Sequence, residues 1–263
     1  MSAAIPAAHP AARGVADREL RLLTYNVRGL KDDRASVVRI VRAARPDVVC
    51  FQEVPVGPLW RHRCSELARD CDLLFVSGGQ PAAGNMLAAA TRVAVLGTLD
   101  TALTRTPELA RRGVSTALVD LGGVRFGVIG MHAGLSATER PRHVGEILVV
   151  SERMRTAGAV AVVIAGDLNS PPDRREWREL AARFTDACAA VPKGAELTFP
   201  ARQPKHRIDV VFTQPPLTTL SAGVFDHPDV PRASDHRPVL AVLRLPGPVS
   251  GRTSQTTAPL SES

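Results

Sequence analysis

The sequence is poor in aromatic side chains and in cysteine, and it has no long apolar run. Aromatic residues make up 4% of the 263 residues, with Tyr25 as the single tyrosine, so stacking platforms for nucleic-acid bases are scarce. The four cysteines show no C-x-x-C spacing, and no His/Cys cluster of zinc spacing occurs, which excludes the common structural zinc sites. No run of about eighteen apolar residues is present, so the sequence predicts no transmembrane helix.

Lysine is nearly absent as well, and the positive charge of the chain comes almost entirely from arginine. Lys and Arg together number 33, of which thirty are Arg, against 26 Asp and Glu, for a net charge of +7. This balance is compatible with a polyanionic partner such as nucleic acid. A coding bias toward Arg and Ala explains it equally well, because no Lys/Arg run reaches the length of a nucleic-acid patch.

The two ends of the chain differ in composition from the middle. Residues 1–19 are rich in Ala and Pro, and residues 246–263 are rich in Ser, Thr and Pro, so both are expected to be disordered. The start lacks a basic segment followed by an apolar one, so no signal peptide is expected. One domain over residues 20–245, in a cytoplasmic monomer, is the predicted organisation.

Strand-like apolar runs dominate this middle region and outnumber helix-like segments about three to one. Three helices are predicted: from Asp32 or Asp33 to just before Arg45-Pro46, from about Ala137 to Thr156, and from about Asp173 to Arg183. The surplus of strands favours a mixed α/β sandwich over a doubly wound parallel sheet. Cys50, inside the apolar run VVCF, is predicted to be a buried free thiol, whereas a Cys64–Cys71 bridge is left open.

Polar side chains follow six of the apolar runs, at the point where each predicted strand ends or begins. These are Asn26, Glu53, His132, Asp167 with Asn169, Asp209, and Asp235 with His236. Active sites of sheet proteins gather at strand ends, where a rigid scaffold positions side chains from distant parts of the chain. The repetition therefore favours a functional site over six unrelated turns.

The segment VIAGDLNSPPD, Val163–Asp173, carries two of these polar groups. Since alternate side chains of a strand share a face, Asp167 and Asn169 are predicted to point together into a cleft, with Pro171 and Pro172 ending the strand. A turn is the competing interpretation, because Asp, Asn and Pro all suit turns.

The residue types at the strand ends define a chemistry. Glu53, Asp167 and Asp235 are hard oxygen ligands that match Mg²⁺ or Mn²⁺ better than Zn²⁺. His236, beside Asp235 and with Asp209 available, offers a general base oriented by a carboxylate. Asn26, Asn169 and His132 are donors that can face phosphate oxygens. Metal, activated water and donors together predict phosphoester hydrolysis.

The motifs TYNVRG, FQEV, MHAG, GDLNSPP, RIDVVF and SDHRPV, in this order, resemble those of the endonuclease/exonuclease/phosphatase superfamily. That group includes deoxyribonuclease I, exonuclease III, the neutral sphingomyelinases and the inositol-polyphosphate 5-phosphatases. The resemblance spans about Leu20 to Leu245. It implies a four-layer α/β/β/α sandwich of two mixed β-sheets flanked by helices, and an Mg²⁺-dependent phosphoesterase for which Mn²⁺ is an alternative ion.

The resemblance also implies residue roles. Glu53 would bind the metal, with Asn26 orienting metal or phosphate, and Asp235 would be a further ligand or an orienting carboxylate. Asp167 and Asn169 would hold the attacking water and the phosphate oxygens.

The two histidines of the motifs take separate roles by the same resemblance. His236, paired with Asp209, would activate water or stabilise the pentavalent state, and His132 would be an acid or a phosphate donor. Abasic-site endonucleases of the superfamily carry Tyr at the His132 position, so an exonuclease-III-type site is disfavoured. The other five histidines, His9, His62, His143, His206 and His227, lack motifs and are interpreted as surface residues.

Two further positions bear on the deoxyribonuclease pattern: the role of Arg112 is open, and the sequence near Asn85 departs from the pattern. Arg112 lies where nucleases of the superfamily place a phosphate-contacting Arg, but it is also compatible with a solvated strand start. The carboxylate that would partner the first histidine is missing near Gly84-Asn85, where Asn85 is available for a hydrogen bond instead.

The predicted substrate is a phosphodiester, in nucleic acid or in a small molecule. The alternatives are a phospholipid headgroup or an inositol phosphate, and, in another class, an inactive phosphate-binding module on the same fold. The inactive module is disfavoured because no expected ligand or base is missing from the sequence.

Overall fold

The computed structural model describes residues 18–247, which form twelve strands and six α-helices. The predicted disorder of the two tails therefore lies largely outside the described residues. The strands are β1 Glu19–Asn26, β2 Val48–Gln52, β3 Leu74–Gly79, β4 Asn85–Ala89, β5 Ala94–Ala102, β6 Gly113–Leu121, β7 Val124–His132, β8 Val162–Asp167, β9 Thr185–Asp186, β10 Asp209–Thr213, β11 Thr218–Val224 and β12 Val239–Arg244.

The strands form two six-stranded sheets of mixed direction. The first has the order β11-β12-β1-β2-β4-β3 and the second β5-β6-β7-β8-β10-β9. In each sheet one central pair is parallel, β1 with β2 and β7 with β8, and the pairs that flank it are antiparallel. The parallel pairs place the C-terminal ends of β1 and β2, and of β7 and β8, at a common edge of their sheet.

The central strands are buried on both faces, which explains why they read as continuous apolar runs. In β1, Leu20 and Leu22 pack between the two sheets, whereas Leu23 and Tyr25 pack against the helices outside. In the second sheet, Phe126, Val128 and Val163 belong to the inter-sheet core, and Ile129, Val162 and Ile164 to the outer core.

Six helices accompany the sheets: α1 Arg34–Ala44, α2 Trp60–Asp70, α3 Arg140–Thr156, α4 Arg175–Ala181, α5 Ala187–Ala190 and α6 Val230–Ala233. Helices α1 and α2 cover the outer face of the first sheet, and α3 and α4 the outer face of the second. The three apolar cores thus separate four layers, and the predicted α/β/β/α sandwich of two mixed sheets is confirmed.

Helix positions agree with the sequence prediction except at several ends. The first helix is capped by Asp33, whose side chain accepts the backbone N–H of Ser36, and it ends before Arg45. The second predicted helix begins at Arg140 rather than Ala137, because Pro141 occupies the first turn, where a missing N–H is tolerated. The third spans Arg175–Ala181, shorter than predicted at both ends.

Helix α2 was absent from the prediction. Its sequence WRHRCSELARD is mostly polar, and only Cys64, Leu67 and Ala68 are buried. The ratio of strands to α-helices is two to one rather than the predicted three to one, because the four-residue helices α5 and α6 were not predicted either. The apolar run from Asn85 to Leu96 contains parts of two strands, β4 and β5.

All four cysteines are buried free thiols, so the prediction for Cys50 is confirmed and Cys64 is not bridged to Cys71. Within residues 18–247, no helix has the length and apolar content needed to cross a membrane.

The β7–β8 pairing contains a position at which only glycine fits. Gly166 pairs with Met131, has a φ of 154°, and a Cβ there would collide with the carbonyl oxygen of Met131. Because the obstacle is backbone in the centre of the second sheet, it cannot move aside without breaking the ladder next to Asp167.

Gly166→Ala is expected to lower the free energy of unfolding by about 3 kcal/mol or more, through this backbone clash. Gly145→Ala is the matched control, since a Cβ on Gly145 in helix α3 meets nothing within 4 Å. That change should raise stability by about 0.5–1 kcal/mol. Urea unfolding midpoints measure both, and a Gly166→Ala protein as stable as wild type would contradict the interpretation.

Candidate active site

The predicted site residues converge where the two sheets meet at one end of the sandwich. Asn26 ends β1 and Glu53 follows β2 in the first sheet, while His132, Asp167 and Asp209 come from the second. The amide nitrogen of Asn26 donates to Glu53 Oε1 and to Asp167 Oδ2, each at 3.1 Å. This side chain therefore joins the two sheets through residues 141 positions apart in sequence.

Three of the polar residues form a row across the second sheet. His132 is the register partner of Asp167, and Asp167 is the register partner of Asp209. Register partners on neighbouring strands share a face, so the three side chains point the same way. All three are buried, with Asp167 only 1% exposed.

One oxygen of Asp167 is the centre of the cluster. Besides Asn26, its Oδ2 is approached by Nε2 of His132 at 3.5 Å and by Nε2 of His236 at 3.7 Å. Burial raises the pKa of Asp167 to about 7, and the neighbouring Asp209 adds to the rise. Without a bound cation, this carboxyl is thus close to half-protonated near neutral pH.

The prediction that Asp167 and Asn169 share a strand face was wrong. Strand β8 ends at Asp167, well before Pro171, and Asn169 has a left-handed φ of 53°. The backbone N–H of Asn169 donates to Asp167 Oδ1 at 2.9 Å, a local turn of the kind that Asp favours. Both original interpretations therefore apply, since Oδ1 of Asp167 makes the turn while Oδ2 faces the site.

Asn169 itself is held by the neighbouring strand connection. Its Nδ2 donates to the carbonyl oxygen of Ala133 at 3.0 Å, and Ala133 follows His132 directly. The turn, rather than strand alternation, is what brings Asn169 beside the row. Asn is among the few residues that adopt a left-handed φ at low cost.

His236 is paired with Asp209, as the sequence predicted. Its Nδ1 lies 2.9 Å from Asp209 Oδ2, and the ring of Phe199 packs against it with centroids 4.8 Å apart. Burial alone would lower the pKa of His236, but the charge and hydrogen bond of Asp209, with Asp167 adding, raise it to about 10. His236 is therefore an imidazolium at neutral pH in the metal-free protein.

His132 has the opposite environment. Its Nδ1 lies 3.1 Å from a terminal nitrogen of Arg112, and an arginine can only donate, so Nδ1 accepts and the proton of the neutral ring is on Nε2. Burial, then the charges of Arg112 and His236, hold the pKa of His132 well below its ordinary value. His132 is a neutral donor facing Asp167.

Arg112 thus takes the position beside the first histidine where a carboxylate was sought. Asn85 does not bond His132; its Nδ2 donates to the carbonyls of Ala82 and Gly113, at 2.9 and 2.8 Å. Among the described residues, the buried Nε of Arg112 and the buried Oδ1 of Asn85 have no hydrogen-bond partner. Arg112 is therefore not a solvated strand start.

Backbone strain accumulates beside the cluster. Arg28, Gly29 and Leu30 have consecutive positive φ values of 48°, 68° and 55°, and Glu53 has a φ of 55°. Gly29 N–H donates to the carbonyl of Glu53 at 2.6 Å, and Arg28 N–H donates to Asn26 Oδ1 at 3.0 Å. Such conformations persist only where surrounding contacts enforce them, and they cluster at functional sites.

Asp235 lies outside the buried row. Its Oδ2 is 3.3 Å from Nε of Arg28, and about a third of its side chain is exposed. Its predicted role as a metal ligand stays a prediction. Its neighbour Ser234 was not singled out from the sequence, yet its hydroxyl donates to the carbonyl of Asn26 at 2.7 Å and fixes this segment on β1.

Two groups of oxygen and nitrogen donors could hold a cation. Asp167, Asp209 and His236 each offer an atom within 4.8 Å of the others. The predicted set, Glu53 with Asn26, lies next to this group through the two hydrogen bonds of the Asn26 amide. Several buried carboxylates in one place favour a cation, because unneutralised like charges are costly there.

The interpretation of His143 as a surface residue was wrong. It is buried, its Nδ1 accepts the N–H of Gly134 at 3.1 Å, and its Nε2 bonds the carbonyl of Thr104 at 2.9 Å. Glu139, also missed, accepts the N–H of Thr106 at 2.8 Å. These contacts fasten the segment leading to Arg112 against the segment that follows His132. A lone histidine on a helix gave no signal of this role.

Known proteins resemble this chain both in sequence pattern and in fold. The model of a family described as the endonuclease/exonuclease/phosphatase family matches residues 23–236. No curated protein sequence matches the chain.

Three solved structures illustrate the similarity of fold. An endonuclease/exonuclease/phosphatase from Bacteroides vulgatus is 18% identical, with a TM-score of 0.71, over 87% of this chain and 99% of that one. A mannosyl-6-phosphatase from Bacteroides thetaiotaomicron is 15% identical, with a TM-score of 0.71, over 85% and 99%. TDP2 from D. rerio, complexed with a single-strand DNA product, is 19% identical, with a TM-score of 0.66, over 86% and 99%.

The opposite protonation of the two histidines can be measured. In metal-free protein, NMR titration should show His236 charged at pH 7 and losing its proton near pH 10, with His132 neutral throughout the neutral range. Asp209→Asn should lower the pKa of His236 toward or below 6.5, since burial then dominates. Because the folded pKa is raised, the stability from this proton is complete below pH about 6.5 and is lost as the pH rises toward 10. A neutral His236 at pH 7 in wild type would contradict this assignment.

Proposed function

Because the chain belongs to the endonuclease/exonuclease/phosphatase family, we propose that it is a divalent-metal-dependent phosphoesterase that hydrolyses a phosphodiester. The single observation that carries the proposal is the buried carboxylate of Asp167, with one oxygen fixed by a backbone N–H and the other facing three side-chain donors. A buried carboxylate with a structural role usually has one dedicated partner. In catalytic sites, by contrast, several neighbours often perturb the pKa of a buried carboxylate.

The residues fit a bound Mg²⁺. Glu53 and Asp235 are hard oxygen donors, the class that Mg²⁺ prefers, and the buried carboxylates of Asp167 and Asp209 belong to a group that could hold a cation. Asn26 turns its amide nitrogen toward Glu53 and Asp167, so in this arrangement it orients the carboxylates. When bound, a divalent cation polarises a phosphoryl oxygen and offsets charge that develops on the phosphate. Mn²⁺ accepts the same donors and is the expected substitute.

Asp167 is the proposed proton acceptor from the attacking water. Its Oδ2 faces the site while Oδ1 is engaged in the local turn, and burial raises its pKa above the ordinary carboxyl value, which favours proton acceptance. His236, predicted as either base or stabiliser, takes the second role, because a cationic ring oriented by Asp209 donates its Nε2 proton rather than accepting one. It would stabilise the negative charge of the pentavalent state.

Two neutral donors and one cation complete the phosphate site. His132, with its proton on Nε2, donates to a phosphate oxygen without changing charge, and Asn169 offers its second amide proton. Arg112 holds the ring of His132 in that tautomer and places a positive charge beside it. An inactive phosphate-binding module would need the donors, but it would not need a base of this pKa.

The substrate class is proposed on charge. A net charge of +7 favours a polyanion, and the similar fold of TDP2 accommodates single-strand DNA. The mannosyl-6-phosphatase shows that the same fold serves sugar phosphates, so fold alone does not choose.

One observation favours a phospholipid headgroup as the second candidate. Leu59 is 72% exposed and Leu135 is 73% exposed, and they lie in the segments that follow Glu53 and His132. Exposed leucines in segments that leave site residues are what an enzyme working at a lipid surface would present.

A substrate panel with controlled metal tests the proposal. Plasmid DNA, abasic DNA, RNA, sphingomyelin vesicles, inositol phosphates and a chromogenic phosphodiester are incubated with Mg²⁺, with Mn²⁺ and with EDTA. Hydrolysis of a diester that requires added metal is expected. Activity that survives complete chelation would refute the metal dependence, and cleavage of lipid headgroups alone would favour the second candidate.

Asp167 and Asn169 should not be interchangeable. Asn169→Asp replaces a donor by a carboxylate facing the Ala133 carbonyl and the phosphate, and turnover is expected to fall on the order of a hundredfold. Asp167→Asn removes the proton acceptor and should reduce turnover at least as much.

The same segment supplies a matched control for both changes. Asp173→Asn alters a carboxylate that is 72% exposed and should leave turnover at the wild-type level. Circular dichroism and thermal unfolding report whether each variant folds. A folded Asn169→Asp protein with normal turnover would mean that the segment is only a turn.

A further inference from the structure

A pocket of about 280 Å³ opens beside the active site and is lined by arginines. Its polar walls are formed by Arg28, Asp32, Arg202, Arg232, Ser234 and Asp235. None of the roles assigned above uses Arg202 or Arg232. Three guanidinium groups around one cavity need a physical explanation, because like charges placed together repel.

The pocket adjoins the reaction centre. Ser234 donates to the carbonyl of Asn26 at 2.7 Å, and Arg28 donates its backbone N–H to Asn26 Oδ1 at 3.0 Å. Asp235 immediately precedes His236 in the chain. A substrate held at Asn26 and His236 would therefore lie next to the pocket.

Carboxylates offset the charge of two of the three arginines in the pocket. Arg28 is matched by two carboxylates, Asp32 and Asp235, each at 3.3 Å. Arg232 pairs with Asp229 at 3.0 Å, but Asp229 also receives Nε of Arg39 at the shorter distance of 2.6 Å. Arg39 also lies 3.8 Å from Asp33, so this group of two arginines and two carboxylates is balanced.

Arg202 has no carboxylate partner within residues 18–247. Its Nε donates to the carbonyl oxygen of Pro231 at 3.0 Å, which orients the guanidinium without neutralising it. A fixed guanidinium with unspent N–H donors is a bidentate receptor for a phosphate or carboxylate.

The walls are preformed by backbone hydrogen bonds. Ala201 N–H donates to the carbonyl of Asp235 at 2.7 Å, and Asp33 N–H donates to the carbonyl of Arg232 at 3.3 Å. Nε of Arg237 also holds the carbonyl of Ala201, at 2.8 Å. A ligand would therefore bind without having to order these segments first.

We propose that this pocket is a subsite for a second anionic group of the substrate, a phosphate beyond the one that is hydrolysed, with Arg202 and Arg232 as its specificity-determining residues. The proposal rests on the proposed phosphoesterase function, because the first phosphate anchors the substrate at the reaction centre. It assigns to the enzyme a preference for substrates with at least two phosphates over simple diesters.

Thymidine nucleotides separate the second phosphate from the first. The inhibition constants of thymidine 3′,5′-bisphosphate and of the 3′- and 5′-monophosphates are measured against hydrolysis of bis(4-nitrophenyl) phosphate with Mg²⁺ present. Calorimetry on Asp167→Asn protein gives the same affinities without turnover. Wild-type protein is expected to bind the bisphosphate about tenfold more tightly than the better monophosphate.

Arg202→Gln should reduce this bisphosphate preference about fivefold, and Arg232→Gln should reduce it less, since Asp229 already shares that charge. Arg174→Gln is the matched control, because Arg174 is 64% exposed and its ion pair with Asp173 is long, at 3.8 Å. The bisphosphate preference of this variant should equal that of wild type. Thermal unfolding checks that all variants fold.

Two results would overturn the subsite. One is that wild-type protein binds bisphosphate and monophosphate equally. The other is that Arg202→Gln protein loses affinity for both ligands by the same factor, since that loss would reflect the overall charge of the protein rather than a second phosphate site. Failure of the proposed function looks different: bis(4-nitrophenyl) phosphate would not be hydrolysed, while calorimetry would still report whether the second phosphate is recognised.

Discussion

The buried carboxylate of Asp167 is the interaction on which the arrangement of the site depends. Taking an isolated carboxylate out of water costs several kcal/mol, so it persists only where donors replace the lost hydration. The donors come from both sheets: Asn26 from the first, and His132 with the backbone of Asn169 from the second. Satisfying this one charge therefore requires that the two sheets close at the same end.

The rest of the sandwich supplies the rigidity that such a closure needs. Leu20, Leu22, Phe126 and Val128 belong to a continuous core between the sheets, and the outer cores hold the helices against both faces. A left-handed conformation costs on the order of 1–3 kcal/mol for a residue other than Gly or Asn, and Arg28, Leu30 and Glu53 adopt it beside the candidate site. Apolar packing offsets that strain, which explains why it is tolerated at the end of the core rather than in an isolated loop.

Local patterns were sufficient for the surplus of strands and for most residues of the candidate site, whereas the four layers were predicted from the family resemblance. Neither source predicted the internal partners of the site. Strand ends marked by Asn26, Asp167 and Asp209 could be recognised because the end of an apolar run and a polar side chain are both sequence signals. The position of Asn169 could not be recognised in this way, because the two-residue alternation of a strand stops at Asp167, where β8 ends.

Arg112 and His143 form hydrogen bonds with residues that are distant in sequence, and the loops that bring them together follow no sequence pattern. Asn85 illustrates the same limit: its residue type made it a plausible neighbour of His132, yet it bonds the backbone around Gly113 instead. Helix α2 was missed for a different reason, since a helix with few buried side chains has little periodicity to detect.

His132 and His236 show how partners, rather than burial, decide what a histidine does. Both are buried beside the same oxygen of Asp167, and burial lowers the pKa of each. A guanidinium at Nδ1 leaves His132 neutral, whereas a carboxylate at Nδ1 keeps His236 charged. Each ring consequently presents an N–H at Nε2, one without charge and one with it. In the proposed function, a phosphate bound between them would meet donors on two sides, with Asp167 as the proposed base.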